Sequence, residues 1–238
     1  MGVRSGFELG GVSIPLTGGG TVSAIVGEPQ GHELGSHSAV VLGHGAGNDM
    51  HDPLLSRVHE ALAGAGILAV KFNFPYREQD RQAPDRAPIL VDCFRDAVRF
   101  VKQRYRPRNL VLGGKSLGGR IASHLAAEGG TCDGLVFLGY PLVSPGLEPT
   151  VRDVHLYGIT VPMLFIGGTR DNLAPIDMLN EVVRNLGKRA RLLAIADADH
   201  SFELPPRSPL SQDELLATVC GETVAFVREV ERAVQTLR

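Results

Sequence analysis

The 238-residue sequence has few cysteines, and the three that it has are widely separated. Cys93, Cys132 and Cys220 form no CxxC pair and have no histidine at zinc-finger spacing. These absences exclude the usual patterns of a disulfide framework and of a structural zinc site. We therefore expect buried thiols in a reducing compartment, and no metal or other cofactor.

The chain also lacks a dominant charge and a long apolar run. Its 24 basic and 26 acidic residues nearly cancel, so there is no field to attract a nucleic acid or an anionic membrane. No apolar stretch approaches the ~20 residues that a membrane helix needs. Residues 1–11 show no apolar run behind a basic start, so no secretory signal is expected. We expect a cytoplasmic monomer or homodimer that binds neither nucleic acid nor membrane.

Short apolar, β-branched runs alternate with amphipathic segments along most of the chain, which predicts a mostly parallel, doubly wound sheet with helices on both faces. The predicted strands are 39–42, 67–72, 110–112, 135–138, 163–166 and 192–195. The predicted helices are 53–64 with Asp52 as its N-cap, 89–105, 117–128, 176–186 and one that begins at Ser211. The first 29 residues predict an antiparallel hairpin at the sheet edge. At this length one domain, residues 1–238, is expected.

The connection between the strands 135–138 and 163–166 is too irregular for a lid domain. Residues 139–162 contain four prolines, and proline interrupts a helix because it lacks the amide hydrogen and clashes with the preceding turn. The sequence therefore predicts a site covered by short loops.

Residues 114–118 read GKSLG and lie directly between a predicted strand and a predicted helix. A GxSxG pentapeptide in this context indicates a nucleophile elbow, in which a strained turn presents the serine, here Ser116. A phosphate-binding P-loop would need glycine at 109, where Asn109 stands. A dinucleotide-binding turn at 43–47 would need glycine at 48, where Asn48 stands.

A serine hydroxyl needs a base to take its proton, and a third group usually orients that base. His200 is the best-placed histidine because it follows the last predicted strand. Asp171 follows the strand before it and is the candidate acid. Asp197 and Asp199 are the alternatives, but they share the histidine loop and are poorly placed to brace the imidazole from a rigid element.

The tetrahedral intermediate of acyl transfer requires two preformed donors for its oxyanion. One candidate donor is the amide of Leu117, which follows the nucleophile. The other is assigned to Ala46, in the loop of small residues after the strand 39–42.

An ordered set of motifs then resembles a known family over nearly the whole chain. The motifs are HGAG at 44–47, FNFPY at 72–76, GKSLGGR at 114–120, GYPL at 139–142, GTRD at 168–171 and DHSF at 199–202. Together they resemble α/β-hydrolases near dienelactone hydrolase, whose eukaryotic relatives include testis-expressed protein 30 and subunit 3 of the chromatin NSL complex. The resemblance implies the α/β-hydrolase fold without a lid, and Ser116, Asp171 and His200 as a catalytic triad. Dienelactone hydrolases proper use cysteine at the elbow, so lactone chemistry is not transferred.

Two functions follow as hypotheses. The first is a serine hydrolase that cleaves a small carboxylic ester or related acyl compound through an acyl-enzyme, and the second is a non-catalytic binding or scaffold protein with the same fold. Lys115 and Arg120 could attract an acidic substrate, but a solvated position is expected for both. Five residues follow strand ends or flank His200 and are candidates for the acyl pocket: Phe74, Tyr76, Tyr140, Leu142 and Phe202.

Overall fold

A computed structural model of the protein describes residues 6–31, 34–35, 37–144 and 151–236. The strands are β1 (Phe7–Pro15), β2 (Thr21–Pro29), β3 (Ser38–Gly43), β4 (Leu68–Phe72), β5 (Asn109–Lys115), β6 (Gly134–Leu138), β7 (Met163–Gly168) and β8 (Ala190–Ile195). The α-helices are α1 (Pro53–Gly64), α2 (Pro75–Glu78), α3 (Ala87–Tyr105), α4 (Leu117–Ala127), α5 (Ile176–Leu186) and α6 (Gln212–Thr236).

The eight strands form one sheet in the order β1-β2-β4-β3-β5-β6-β7-β8. Strands β3 to β8 pair in parallel, whereas β1 pairs with β2, and β2 with β4, in antiparallel fashion. The antiparallel hairpin therefore lies at one edge, as the sequence predicts. This confirms the predicted fold class, a mostly parallel α/β sheet.

Helices cover both faces of the sheet and create two hydrophobic clusters. Helices α1 and α6 pack on one face, and α3, α4 and α5 pack on the other. Every residue of β3, β4, β5, β6 and β7 is buried, which explains why these strands have near-continuous apolar sequences instead of alternating ones. With both faces of the sheet covered, the carboxyl edge of the parallel strands is left for a site.

The predicted helix starts have a physical basis in the structure. The Asp52 carboxylate accepts a hydrogen bond from the Leu55 amide at 3.0 Å, and Pro53 occupies the first turn of α1. At the start of α6, Glu214 accepts from the amide and hydroxyl of Ser211, and the Glu214 amide donates to that hydroxyl. These contacts satisfy amides that a helix N-terminus otherwise leaves unpaired.

The connection from β6 to β7 contains no lid in its described part. Residues 139–144 and 151–162 hold one short 3-10 helix, Val154–Gly158, and a bridge between Val143 and Val151. None of the helices among the described residues could span a membrane.

Candidate active site

The sharp turn between β5 and α4 places Ser116 at the carboxyl edge of the sheet. Ser116 adopts φ 48° and ψ −112°, a conformation that is costly for a residue with a side chain. The Ser116 amide donates to the Leu138 carbonyl at 2.9 Å. A Cβ atom on Gly118 would lie 2.0 Å from the Gly43 carbonyl oxygen, so the turn requires glycine where the helix start meets β3.

Ser116 and His200, which are 84 residues apart in the sequence, are hydrogen-bonded in the structure. The Ser116 hydroxyl lies 2.8 Å from Nε2 of His200, and Nδ1 of the same ring lies 2.8 Å from Oδ2 of Asp171. The second oxygen of Asp171 accepts from the amides of Leu173 and Ala174 at 2.8 and 3.1 Å. The Asp171 side chain is fully buried, whereas that of His200 is 24% exposed.

These contacts select one tautomer of His200. An ionised carboxylate only accepts hydrogen bonds, so Nδ1 carries the proton that faces Asp171. Nε2 then has a free lone pair directed at the Ser116 hydroxyl, as a general base requires. The alternative aspartates are engaged elsewhere: Asp199 accepts from the amides of Ser201 and Glu203, and Asp197 accepts from the Ser208 hydroxyl.

The loop after β3 forms a turn that packs against the serine. The Asn48 amide donates to the Gly45 carbonyl at 3.3 Å, and Gly47 has φ +75°, which suits the left-handed position of a β-turn. A Cβ on Gly45 would lie 3.7 Å from the Ser116 Cβ. Within the described residues, neither the Ala46 amide nor the Leu117 amide has a hydrogen-bond partner. Both amides are therefore unpaired among the described residues, on the two segments that meet at Ser116.

His44 braces this turn, a role that the sequence analysis missed. Its Nδ1 donates to the Gly45 carbonyl at 2.8 Å, and its Nε2 accepts from the Phe74 amide at 3.0 Å. The ring is fully buried, and burial lowers the pKa of His44 to about 4. The neutral ring satisfies one donor and one acceptor, and protonation would set Nε2–H against another N–H. The histidine that opens the motif HGAG was the available signal.

Stability is expected to fall as the pH is lowered from 7 to 5, because His44 and His59 are buried in neutral form. Burial lowers the pKa of His59 also to about 4, and its Nδ1 atom has no partner among the described residues. Between pH 7 and pH 5 the unfolded chain binds protons that the folded protein does not, so each histidine should cost about 2 kcal/mol of unfolding free energy over this interval. Stability that depends on these groups is complete above pH 6.5.

Urea denaturation at pH 7 and pH 5 measures this effect. A His59→Gln variant keeps a side-chain donor for the carbonyls of Ile25 and Ala69, which Nε2 contacts at 3.2 and 3.0 Å, but does not titrate. It should show a smaller loss of unfolding free energy between the two pH values than the original protein. An equal loss in both proteins would contradict the assignment.

The five candidate pocket residues all lie in the hydrophobic core. Phe74, Tyr76, Tyr140, Leu142 and Phe202 are each at most 1% exposed. Two of them also make polar contacts beneath the loops, since the Tyr76 hydroxyl approaches the Gly45 carbonyl at 3.4 Å and the Tyr140 hydroxyl donates to the Arg152 carbonyl at 2.9 Å. Contact of these five side chains with a substrate would require the covering loops to move. The role of the five residues in a pocket stays a prediction.

The expectation that Lys115 is solvated is wrong. Its side chain is only 10% exposed, and its ammonium forms an ion pair with Asp52 at 2.9 Å. A lysine at the end of a central strand cannot reach bulk water where α1 packs over it, so a buried carboxylate compensates its charge. Arg120 is half-buried as well, and its Nε atom has no partner among the described residues.

The described residues contain no group of three or more His, Cys, Asp or Glu side chains that could hold a metal ion.

The sheet order and the serine elbow define the fold as that of an α/β hydrolase. Residues 36–228 match the alpha/beta hydrolase domain family, so the chain belongs to this family. The sequence motifs resemble those of dienelactone hydrolases, and family membership agrees with the hydrolase fold and class that this resemblance implies.

Solved structures of similar fold include hydrolases from three bacteria. A dienelactone hydrolase from Anabaena variabilis is 21% identical with a TM-score of 0.75, and the match covers 94% of this chain and 98% of that one. XC6422 from Xanthomonas campestris, a serine hydrolase without a lid, is 18% identical with a TM-score of 0.71 and coverages of 93% and 94%. An α/β serine hydrolase homologue from Coxiella burnetii is 18% identical, with a TM-score of 0.72 and coverages of 91% and 96%. At these identities the likeness shows the fold.

Proposed function

We propose that the protein is a serine hydrolase that cleaves a small carboxylic ester or a related acyl compound. The observation that carries the proposal is the continuous hydrogen-bonded chain from the Ser116 hydroxyl through His200 to the buried Asp171 carboxylate. Both bonds are 2.8 Å long, which is within the range required of a nucleophile and its base. Ser116, His200 and Asp171 are the proposed catalytic triad.

The proposed reaction begins when His200 Nε2 takes the hydroxyl proton as Ser116 Oγ attacks the acyl carbon. The carbonyl π bond becomes an oxyanion, and the carbon becomes tetrahedral. When the oxyanion collapses, the bond to the alcohol oxygen breaks, and His200 gives its proton to that alcohol. Water then attacks the acyl-enzyme by the same route, and the acid is released with Ser116 restored.

Two amides are proposed to stabilise the oxyanion. The Leu117 amide is the first of helix α4, so it has no acceptor within the helix and lies at the positive end of the helix dipole. The Ala46 amide belongs to the turn that packs against Ser116. Such preformed donors act at the moment when charge develops on the substrate oxygen.

The choice of a small substrate rests on the short loops around the triad. The described part of the connection between β6 and β7 contributes one 3-10 helix, so the described residues supply no lid domain that would enclose a long acyl chain. Kinship with testis-expressed protein 30 and NSL complex subunit 3 remains part of the sequence-based hypothesis.

Labelling with a fluorophosphonate tests the proposal without presupposing a substrate. The folded protein should gain one phosphonyl adduct on the peptide that contains Ser116. Any short-chain p-nitrophenyl ester that the protein hydrolyses should slow labelling when it is present above its KM. His200→Ala should label far more slowly. A folded protein that neither labels nor turns over any ester would instead favour a non-catalytic binding or scaffold role.

A further inference from the structure

Lys115, Asp52 and Asn48 form a polar network beside the serine elbow, one residue away from the nucleophile. The Asp52 carboxylate accepts three hydrogen bonds: Oδ2 from the Lys115 ammonium at 2.9 Å and the Asn48 side-chain amide at 2.7 Å, and Oδ1 from the Leu55 amide at 3.0 Å. The Asp52 side chain is only 1% exposed. The network therefore joins three elements: the end of β5, the start of α1 and the turn after β3.

Each hydrogen bond in the network connects two elements around the serine elbow. Lys115 directly precedes Ser116, so its ammonium ties Asp52 to the strand that ends in the elbow. Asn48 closes the turn that contains Ala46, because its backbone amide donates to the Gly45 carbonyl. The carboxylate of Asp52 thus links the two halves of the proposed oxyanion site through charge-assisted hydrogen bonds, which are stronger and geometrically stricter than neutral ones.

Stability alone does not explain this arrangement. A buried ion pair often contributes no more to stability than apolar residues of the same volume would, because both charges lose their hydration. Asn48 is an exposed residue, yet its side-chain amide donates to the buried carboxylate at 2.7 Å. The network connects the exposed turn after β3 to the strand that carries Ser116.

We propose that Asn48, Asp52 and Lys115 are positioning residues that hold the Ala46 amide in register with Ser116. This inference rests on the proposed hydrolase function and deepens it. The Asn48 side chain is the link that can be removed without disturbing the ion pair or the α1 cap. A displacement of the turn by about 1 Å would weaken the bond to the oxyanion and leave binding of the neutral ester largely unchanged.

The test compares Asn48→Ala with Asn180→Ala, a control at an exposed position of α5 far along the chain from the network. On the best p-nitrophenyl ester, Asn48→Ala should lower kcat by about 10- to 100-fold, with KM within about 2-fold of the original value. Its melting temperature should match that of Asn180→Ala. Hydrogen exchange in the peptide spanning residues 44–50 should be faster in Asn48→Ala than in the control.

Asp52→Asn provides the second arm, because asparagine also caps a helix but presents no charge to Lys115. It should share the loss of kcat and the faster exchange. If the original protein hydrolyses the ester and Asn48→Ala keeps kcat within about 2-fold, the positioning role is overturned while the hydrolase function stands. If the folded original protein hydrolyses no ester, the proposed function itself fails, and the inference fails with it.

Discussion

Ser116→Ala is expected to lower kcat by about 10⁶-fold. Removing a serine nucleophile causes a loss on this scale because the serine and its base act together. The substitution removes one oxygen atom that bonds only to His200 among the described residues, so the fold should be retained. Turnover of a p-nitrophenyl ester, with the melting temperature measured in parallel, tests this expectation. Fluorophosphonate labelling should disappear in the same variant.

Ser201→Ala is the matched control, because Ser201 is exposed beside His200 and its hydroxyl makes no hydrogen bond to a described residue. It should retain the original turnover. The kcat of Asp171→Asn should lie between those of Ser201→Ala and Ser116→Ala. We expect a loss of about 10⁴-fold, because an amide in place of the carboxylate favours the wrong tautomer of His200. A Ser116→Ala variant with turnover near that of the original protein would place the nucleophile elsewhere.

Gly118→Ala is expected to destabilise the fold by about 3 kcal/mol or more, the upper range for a side chain forced into a filled space. The new Cβ would lie 2.0 Å from the carbonyl oxygen and 2.2 Å from the carbonyl carbon of Gly43. Both are backbone atoms of the central strand β3, so neither can rotate away. Urea denaturation should show a lower midpoint, or the variant should fail to accumulate in folded form.

The same change from glycine to alanine is expected to stabilise the fold at Gly221. Gly221 lies within α6, and nothing stands within 4 Å of the Cβ that alanine would add. Alanine loses less backbone entropy than glycine in a helix, so this variant should gain about 0.5 to 1 kcal/mol. If both alanine variants had similar stability, the close contact between α4 and β3 would not be a real constraint.

Most of the fold follows from local patterns in the sequence. Continuous apolar runs in the sequence predict all six parallel strands, with ends within three residues of those observed. Such runs are required because these strands are buried on both faces of the sheet. The capping box at Ser211 and the cap at Asp52 mark two helix starts. The short helix α2 was missed, since four residues are too few to show a helical period.

The candidate site divides in the same way. The elbow at Ser116 could be recognised from the sequence because its turn needs glycines at fixed offsets between a strand and a helix, all within one local segment. The aspartate that bonds to His200 is distant in the sequence, and Asp171 could be predicted only from its place after the strand that precedes the last one. Asp197 and Asp199 are nearer in sequence, yet Asp171, 29 residues away, makes the 2.8 Å contact because β7 ends beside β8.

The tertiary structure alone decided the surroundings of the polar side chains. The sequence alone determined the fold class, the elbow and the candidate bases, because periodicity and turn chemistry depend on residues close in the chain. It could not show that Lys115 is buried against Asp52, that His44 is a neutral brace, or that the five candidate pocket residues have almost no exposed surface. Burial and partner choice depend on segments brought together from distant parts of the chain, and a side chain's charge, tautomer and access to solvent are set by those neighbours.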